Sequence, residues 1–218
     1  MRAKSAHHAQ TFTAAAAALF VSAAAFTVSA CGVSDQSATK STTTAVDPAR
    51  APADVRWENY QGVQLPIGGH DGPSKLGTTA AGYTRTPQGA ALAAINHSTR
   101  LSLAPDGVWP QVAAISLMPG AGKDSWVLAR AQISITAPAN ATVAPHIAAY
   151  QLTAYTPDRA DLTVYATYSD ASITATTETV RWVSEDWRLE LPDPAAKTQT
   201  VQSVPAIPAE AVKLAPAK

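Results

Sequence analysis

The chain has little cysteine, little phenylalanine and no excess of either charge. Its 218 residues include one cysteine, three phenylalanines, and 16 basic against 16 acidic side chains. A single cysteine excludes any disulfide within one chain. The charges are dispersed, and no stretch interleaves Lys or Arg with aromatic residues, so the sequence predicts no nucleic-acid binding.

The sequence also lacks the standard catalytic and cofactor motifs. It has no Gly-x-Ser-x-Gly elbow, no phosphate-binding loop, no Gly-rich dinucleotide turn and no His-Glu-x-x-His stretch. Beyond residue 30 the histidines are His70, His97 and His146, and none has a second ligand at a metal-binding spacing. These absences predict a protein that is not an enzyme and that uses no metal or other cofactor.

Residues 1–30 have the parts of an export signal. Basic residues at the start precede an uncharged, apolar run over residues 12–28. The run ends in Val28, Ser29, Ala30 and Cys31, which resembles the lipobox of bacterial lipoproteins. The resemblance implies cleavage before Cys31 and a diacylglyceryl anchor on its sulfur, with the protein on the extracytoplasmic face of the cell membrane.

Two other interpretations of this N-terminus stay open. The apolar run is near the lower limit of what can span a bilayer, so an uncleaved membrane anchor is one alternative. A free cysteine without a lipid is the other. The position of Cys31 directly after an apolar run and small residues favours lipidation.

Composition divides the remaining chain into three parts. Residues 31–56 are rich in Ser, Thr and Ala without apolar periodicity, which predicts a disordered stalk. Residues 57–193 contain all five Trp and all six Tyr, enough apolar surface for one domain core. Residues 194–218 are rich in Pro and Ala, which predicts a disordered tail.

Within residues 57–193, helical patterns come before strand patterns. Thr86 can cap a helix that begins at Pro87 and ends near Arg100. Weaker helical patterns follow, and then four segments with period-two alternation over residues 147–155, 162–168, 172–183 and 187–191. Their connections are too short for parallel crossovers. The sequence therefore predicts an α+β domain, with N-terminal helices packed on a four-stranded antiparallel sheet.

Several segments carry a resemblance to a known family. Among them are Trp57 to Pro66, Gly82 to Ala94, and Val180 to Leu189. Together they resemble an uncharacterised family of actinobacterial lipoproteins associated with integrative and conjugative elements. The two Trp residues that flank an acidic turn also resemble the end of nuclear-transport-factor-like domains, including extracytoplasmic scaffold domains of conjugation machineries. This second resemblance implies a cone-shaped domain with a curved sheet, although Glu185-Asp186 departs from the usual Gly-Asp turn and leaves the hairpin type open.

Two sets of residues are candidates for binding. Trp57 and Tyr60 lie in the N-terminal arm, the segment that precedes the first predicted helix, and Trp182 and Trp187 lie at the last turn. These four residues either present a surface to a partner or pack within their own domain, and packing is favoured. His97 and His146 are candidates for a pocket between the first helix and the sheet, although a structural role is favoured for each.

The sequence favours a membrane-tethered, non-catalytic module that binds other envelope proteins, such as those of a conjugation apparatus. One alternative is a lipoprotein that binds a small apolar ligand in the pocket between helix and sheet. A second alternative is an enzyme of the same fold that uses His97 or His146. Association of two copies through the sheet also stays open.

Overall fold

The computed structural model describes residues 47–214. This part of the chain is an α+β domain with three helices and antiparallel sheets. The predicted signal peptide, its lipobox residues, Cys31 and most of the predicted stalk lie outside the described residues. Within residues 47–214, no helix is both long enough and apolar enough to cross a bilayer.

The N-terminal arm forms two small antiparallel sheets, and its first hairpin packs on the rest of the domain. The hairpin consists of β1 (Arg56–Tyr60) and β2 (Val63–Ile67), and the second sheet consists of β3 (Lys75–Leu76) and β4 (Ala80–Ala81). The apolar side chains of β2 are buried, as favoured from the sequence. Residues 47–50 also contact the domain, because Gln88 donates hydrogen bonds to two of their carbonyl groups.

The first helix begins where its capping residues predict. Helix α1 (Pro87–Leu103) has Thr86 as its N-cap, and the Thr86 side chain accepts a hydrogen bond from Gly89 N at 3.0 Å. Its alanines are fully buried, which lets the helix approach its neighbours closely. The Asn96 side chain donates to Pro66 O at 3.0 Å and so connects α1 to β2.

Two shorter helices follow α1. They are α2 (Trp109–Ser116) and α3 (Ala121–Arg130). The N-terminus of α3 has no side-chain cap. Its N-cap is Gly120, which has no side chain to bond and therefore gives no capping signal in the sequence.

The four predicted strands are present, and their neighbours are antiparallel as expected. They are β5 (His146–Thr156), β6 (Arg159–Thr167), β7 (Ile173–Val183) and β8 (Asp186–Leu189).

The sheet has six strands instead of the four predicted. A 3-10 helix (Pro194–Ala196) is followed by β9 (Val201–Ser203), which pairs with β7, and by β10 (Val212–Lys213), which pairs with β5. The prediction of a disordered tail is therefore wrong for residues 194–214. The Pro-rich composition favoured disorder, but a few apolar side chains of this segment are buried against the domain and hold it in place.

Apolar side chains are buried on both faces of the sheet. The main core contains residues of α1 and β2, including Leu92, and the strand residues that face them, including Leu162 and Val180. A smaller cluster on the opposite face consists of Ala149, Tyr165, Ala175 and Ala211. The C-terminal segment thus supplies part of the second face.

Candidate functional site

The last hairpin holds two of the candidate aromatic residues in an internal cluster. Ser184 and Glu185 form its two-residue turn with φ of 54° and 59°, which is the backbone of a type I′ turn. Trp182 and Trp187 lie opposite each other across the hairpin, with ring centroids 5.4 Å apart in an edge-to-face arrangement. The Glu185-Asp186 departure from the family pattern therefore still gives a tight hairpin.

Asp186 connects this hairpin to the N-terminal arm. Its carboxylate accepts hydrogen bonds from Gly82 N at 2.7 Å and from Tyr83 N at 3.1 Å. Next to it, Trp187 Nε1 donates to Thr84 O at 2.8 Å. The acidic residue of the turn thus satisfies two backbone donors, and its role is structural.

His97 lies in the core on α1. Its side chain is 0 % exposed, its Nε2 lies 2.9 Å from Trp187 O, and the ring of Tyr83 contacts it edge-on. A carbonyl oxygen only accepts, so Nε2 carries the proton. Burial lowers the pKa of His97 to about 4, although the hydrogen bond to Trp187 opposes the shift. The pocket interpretation of His97 is therefore wrong, and the favoured structural role describes this residue.

Two of the four aromatic candidates are buried and present no surface. Trp187 is 0 % exposed, and Tyr60 is 9 % exposed with the Arg100 guanidinium 4.3 Å from its ring centroid. Arg100 is itself buried and donates to Gly77 O at 2.8 Å. For Tyr60 and Trp187 the binding-surface interpretation is wrong, and the favoured packing interpretation describes them.

Trp182 is half-buried, and other side chains of the domain already contact it. The Arg85 guanidinium lies 5.4 Å from the Trp182 ring centroid, and Arg85 also pairs with Asp158. Cation–π contacts of this kind stabilise surface structure. Trp182 therefore belongs to the junction between the arm and the sheet.

The structure brings the other two candidates, Trp57 and His146, to one open groove. The groove has a volume of about 520 Å³ and lies between the β1–β2 hairpin and the start of β5. Its lining residues are Trp57, Gln64, His146, Ile147, Ala148, Thr167 and Leu214.

We call this feature the Trp57 groove. Trp57 is half-buried and His146 is exposed. Apolar surface from Trp57, Ile147 and Leu214 lies beside polar groups of Gln64 and His146, a composition that suits an apolar side chain next to a hydrogen-bonding backbone. Leu214 was assigned to the tail from the sequence, and composition gave no signal of its place here.

The described residues offer no obvious metal centre. Among residues 47–214, no three His, Cys, Asp or Glu side chains converge at distances that would hold an ion. Asp71, next to His70, is buried and accepts a hydrogen bond from the Thr86 hydroxyl at 3.2 Å, so it helps to hold the N-cap of α1 in place.

Comparison with known proteins gives one match. The model of a family described as Domain of unknown function (DUF8175) matches residues 13–208. The searches of curated proteins and of solved structures match nothing.

Proposed function

The chain belongs to the DUF8175 family, and we propose that it is a membrane-tethered, non-catalytic module that binds an envelope protein through the Trp57 groove. The observation that supports this function is the grouping of a half-buried tryptophan, an exposed histidine and apolar side chains at one open groove. Tryptophan is enriched among the residues that dominate binding energy at protein interfaces.

The groove is built on paired strands. Trp57 lies in β1 opposite Pro66, and His146 lies in β5 opposite Thr167. Binding to a preformed site avoids the entropy cost of ordering loops on association. The partner would insert an apolar side chain against Trp57 and Leu214 and offer hydrogen-bonding groups to Gln64 and His146.

The tether is the second part of the proposal. We propose cleavage before Cys31 and diacylation of its sulfur, from the resemblance of residues 28–31 to a lipobox. Two acyl chains hold a protein stably at a membrane, whereas one chain binds marginally. This arrangement keeps the Trp57 groove at the extracytoplasmic face of the cell membrane, where envelope proteins are the available partners.

We further propose a nuclear-transport-factor-like cone and a partner in the envelope apparatus of a conjugative element. The packing of α1 across an antiparallel sheet supports the fold relationship. The segments 57–66, 82–94 and 180–189 support the association with conjugative elements.

Site-specific photocrosslinking in native membranes tests the groove. A photoreactive amino acid at Gln64, inside the groove, should crosslink one envelope protein, and the same probe at exposed Gln132 should not. Trp57→Ala should remove that crosslink. The matched control is Leu128→Ala, which truncates a side chain that is 69 % exposed on α3 and should leave the crosslink intact. Equal crosslinking from both probe positions, or none from Gln64, would overturn the proposal.

The mass of the intact protein extracted from membranes tests the tether. The expected mass is that of a chain beginning at a diacylated Cys31, and Cys31→Ala should release the protein from the membrane fraction or leave it uncleaved. An unmodified wild-type chain would contradict the lipid anchor.

A further inference from the structure

A second cavity lies between α1 and the sheet. It has a volume of about 350 Å³, within the range of small-ligand sites, and it shares Ile147 with the Trp57 groove. On the helix side it is lined by the hydroxyl-bearing residues Ser98, Thr99 and Ser102. On the sheet side the apolar lining residues are Ile147, Val164, Ala166 and Val201.

A single acidic side chain, that of Glu178, lines this cavity. Glu178 lies on β7, two and four positions after Thr176 and Thr174, so all three project from the same face of the strand and line the cavity. Its side chain is 8 % exposed, and its Oε2 atom is buried without a hydrogen-bond partner. A buried carboxyl oxygen without a hydrogen-bond partner costs folding free energy, which a bound hydrogen-bond donor would offset.

The charge around Glu178 is unbalanced. Among its twelve lining residues, the cavity has no Lys, Arg or His, and Tyr168 is the one other titratable side chain. Helix α1 contributes only hydroxyl-bearing side chains to the lining, and β9 contributes the apolar Val201. Burial raises the pKa of Glu178 to about 8, and the Ser98 hydroxyl offsets part of that shift. A ligand that carries a positive charge would supply the missing counter-charge.

We propose that this cavity binds an apolar primary amine, with its ammonium group on Glu178 and its hydrocarbon part against the apolar side chains of the sheet. The ammonium group donates three hydrogen bonds, and the hydroxyl oxygens of α1 can accept those that the carboxylate does not. An alcohol of equal length would leave the charge of Glu178 unpaired, and a carboxylate would be repelled. Amine binding at this cavity requires neither a partner in the Trp57 groove nor the lipid anchor.

Binding depends on pH in a direction set by Glu178. The complex needs an ionised carboxyl group and a protonated amine, and an aliphatic amine has a pKa of about 10. Affinity therefore increases as pH rises towards 8 and decreases above about 10. Near pH 7, binding releases most of one proton from Glu178.

Calorimetric titration of the full chain with hexylamine, hexanol and hexanoate tests the site. All titrations use one neutral detergent solution, so partition of the probes into micelles is the same for every variant. At pH 8, hexylamine should bind the wild type at least tenfold more tightly than either of the other probes. Glu178→Gln should weaken hexylamine binding at least tenfold while leaving hexanol binding unchanged.

A second variant tests the same site if Glu178→Gln does not fold. Ala166→Leu adds bulk to the apolar wall and should abolish hexylamine binding with Glu178 still present. Circular dichroism establishes that each variant is folded. Hexylamine binding that is absent from the wild type, equal to hexanol binding, or unaffected by either folded variant would overturn the proposal.

Discussion

His97 on α1 donates a hydrogen bond to the carbonyl oxygen of Trp187 on β8, with 2.9 Å between Nε2 and the oxygen. These residues are 90 positions apart and both are fully buried. The contact joins α1 to β8, next to the point where the indole of Trp187 donates a hydrogen bond to Thr84 O. Burial of the ring favours the neutral imidazole more strongly than this hydrogen bond favours the charged form, so the stability of the domain is sensitive to acid.

Replacement of His97 should flatten the acid dependence of stability. The pKa of His97 is about 4 in the folded chain and near 6.5 when the chain is unfolded, so its contribution is full above pH 6.5 and is lost as pH falls towards 4. The stability of the wild type relative to His97→Gln should decrease by about 3 kcal/mol between pH 7 and pH 4. Urea unfolding at several pH values measures this difference, and exposed His146→Gln is the control that should retain the wild-type slope.

Replacement of Glu178 should change the pH dependence of stability in the opposite direction. Its pKa is raised from 4.5 to about 8, so the wild type loses stability as pH rises through that interval. The free energy of unfolding of Glu178→Gln, relative to that of the wild type, should therefore increase by up to about 1.4 kcal/mol per pH unit between pH 5 and pH 8. Thermal unfolding at both pH values tests this, with exposed Glu185→Gln as control. A constant difference between variant and wild type would contradict the burial of Glu178.

Truncation of two tryptophans should have unequal effects on stability. Trp187→Ala empties a fully buried site and leaves Thr84 O without its donor, so we expect a loss of about 3–5 kcal/mol in the free energy of unfolding. Trp57→Ala removes a half-buried side chain from an open groove and should cost about 1 kcal/mol. Equal losses in urea unfolding would show that Trp57 belongs to the core.

Gly62 should resist substitution for two reasons. Its φ is +89° in the β1–β2 turn, and a Cβ atom there would collide with the carbonyl oxygen of Ala139. Gly62→Ala should lower the free energy of unfolding by about 2 kcal/mol or more. Gly77→Ala is the matched control, because a Cβ there meets no atom within 4 Å and should leave stability nearly unchanged.

Removal of residues 194–218 should destabilise the domain. The deletion removes β9, β10 and the buried side chains of Val212 and Leu214, and it uncovers Tyr165 on the second face of the sheet. We expect a loss of at least about 3 kcal/mol in urea unfolding. A chain that ends at residue 214 is the control, because it keeps β9, β10 and Leu214. Equal stability of both truncated chains would support the original prediction of a disordered tail.

The sequence predicted those parts of the fold whose signals are local. The Thr86-Pro87 cap and the alternation of β5 to β8 are visible within a few residues, and the structure has both. Strands β9 and β10 are three and two residues long, too short for a periodic pattern, and proline near them favoured disorder. Their pairing with β7 and β5 depends on tertiary contacts.

The candidate sites were predicted less well, because burial of a polar or aromatic residue depends on its surroundings. Trp57 and Trp187 have the same side chain, but one borders a groove and the other fills the core. Nothing in the Thr-rich sequence of β7 distinguishes Glu178 from an exposed acidic residue. The grouping of Trp57 with His146 follows from the packing of strands that are distant along the chain.

The position of β9 and β10 has a consequence for the order in which the domain folds. Synthesis proceeds from the N-terminus, so β9 and β10 leave the ribosome after the strands with which they pair. Until they emerge, Ala149, Tyr165 and Ala175 lack the cover of Ala211, and β5 lacks its second partner strand, β10. A nascent chain that stalls before residue 201 would thus offer a strand edge and an apolar face to chaperones or to other nascent chains.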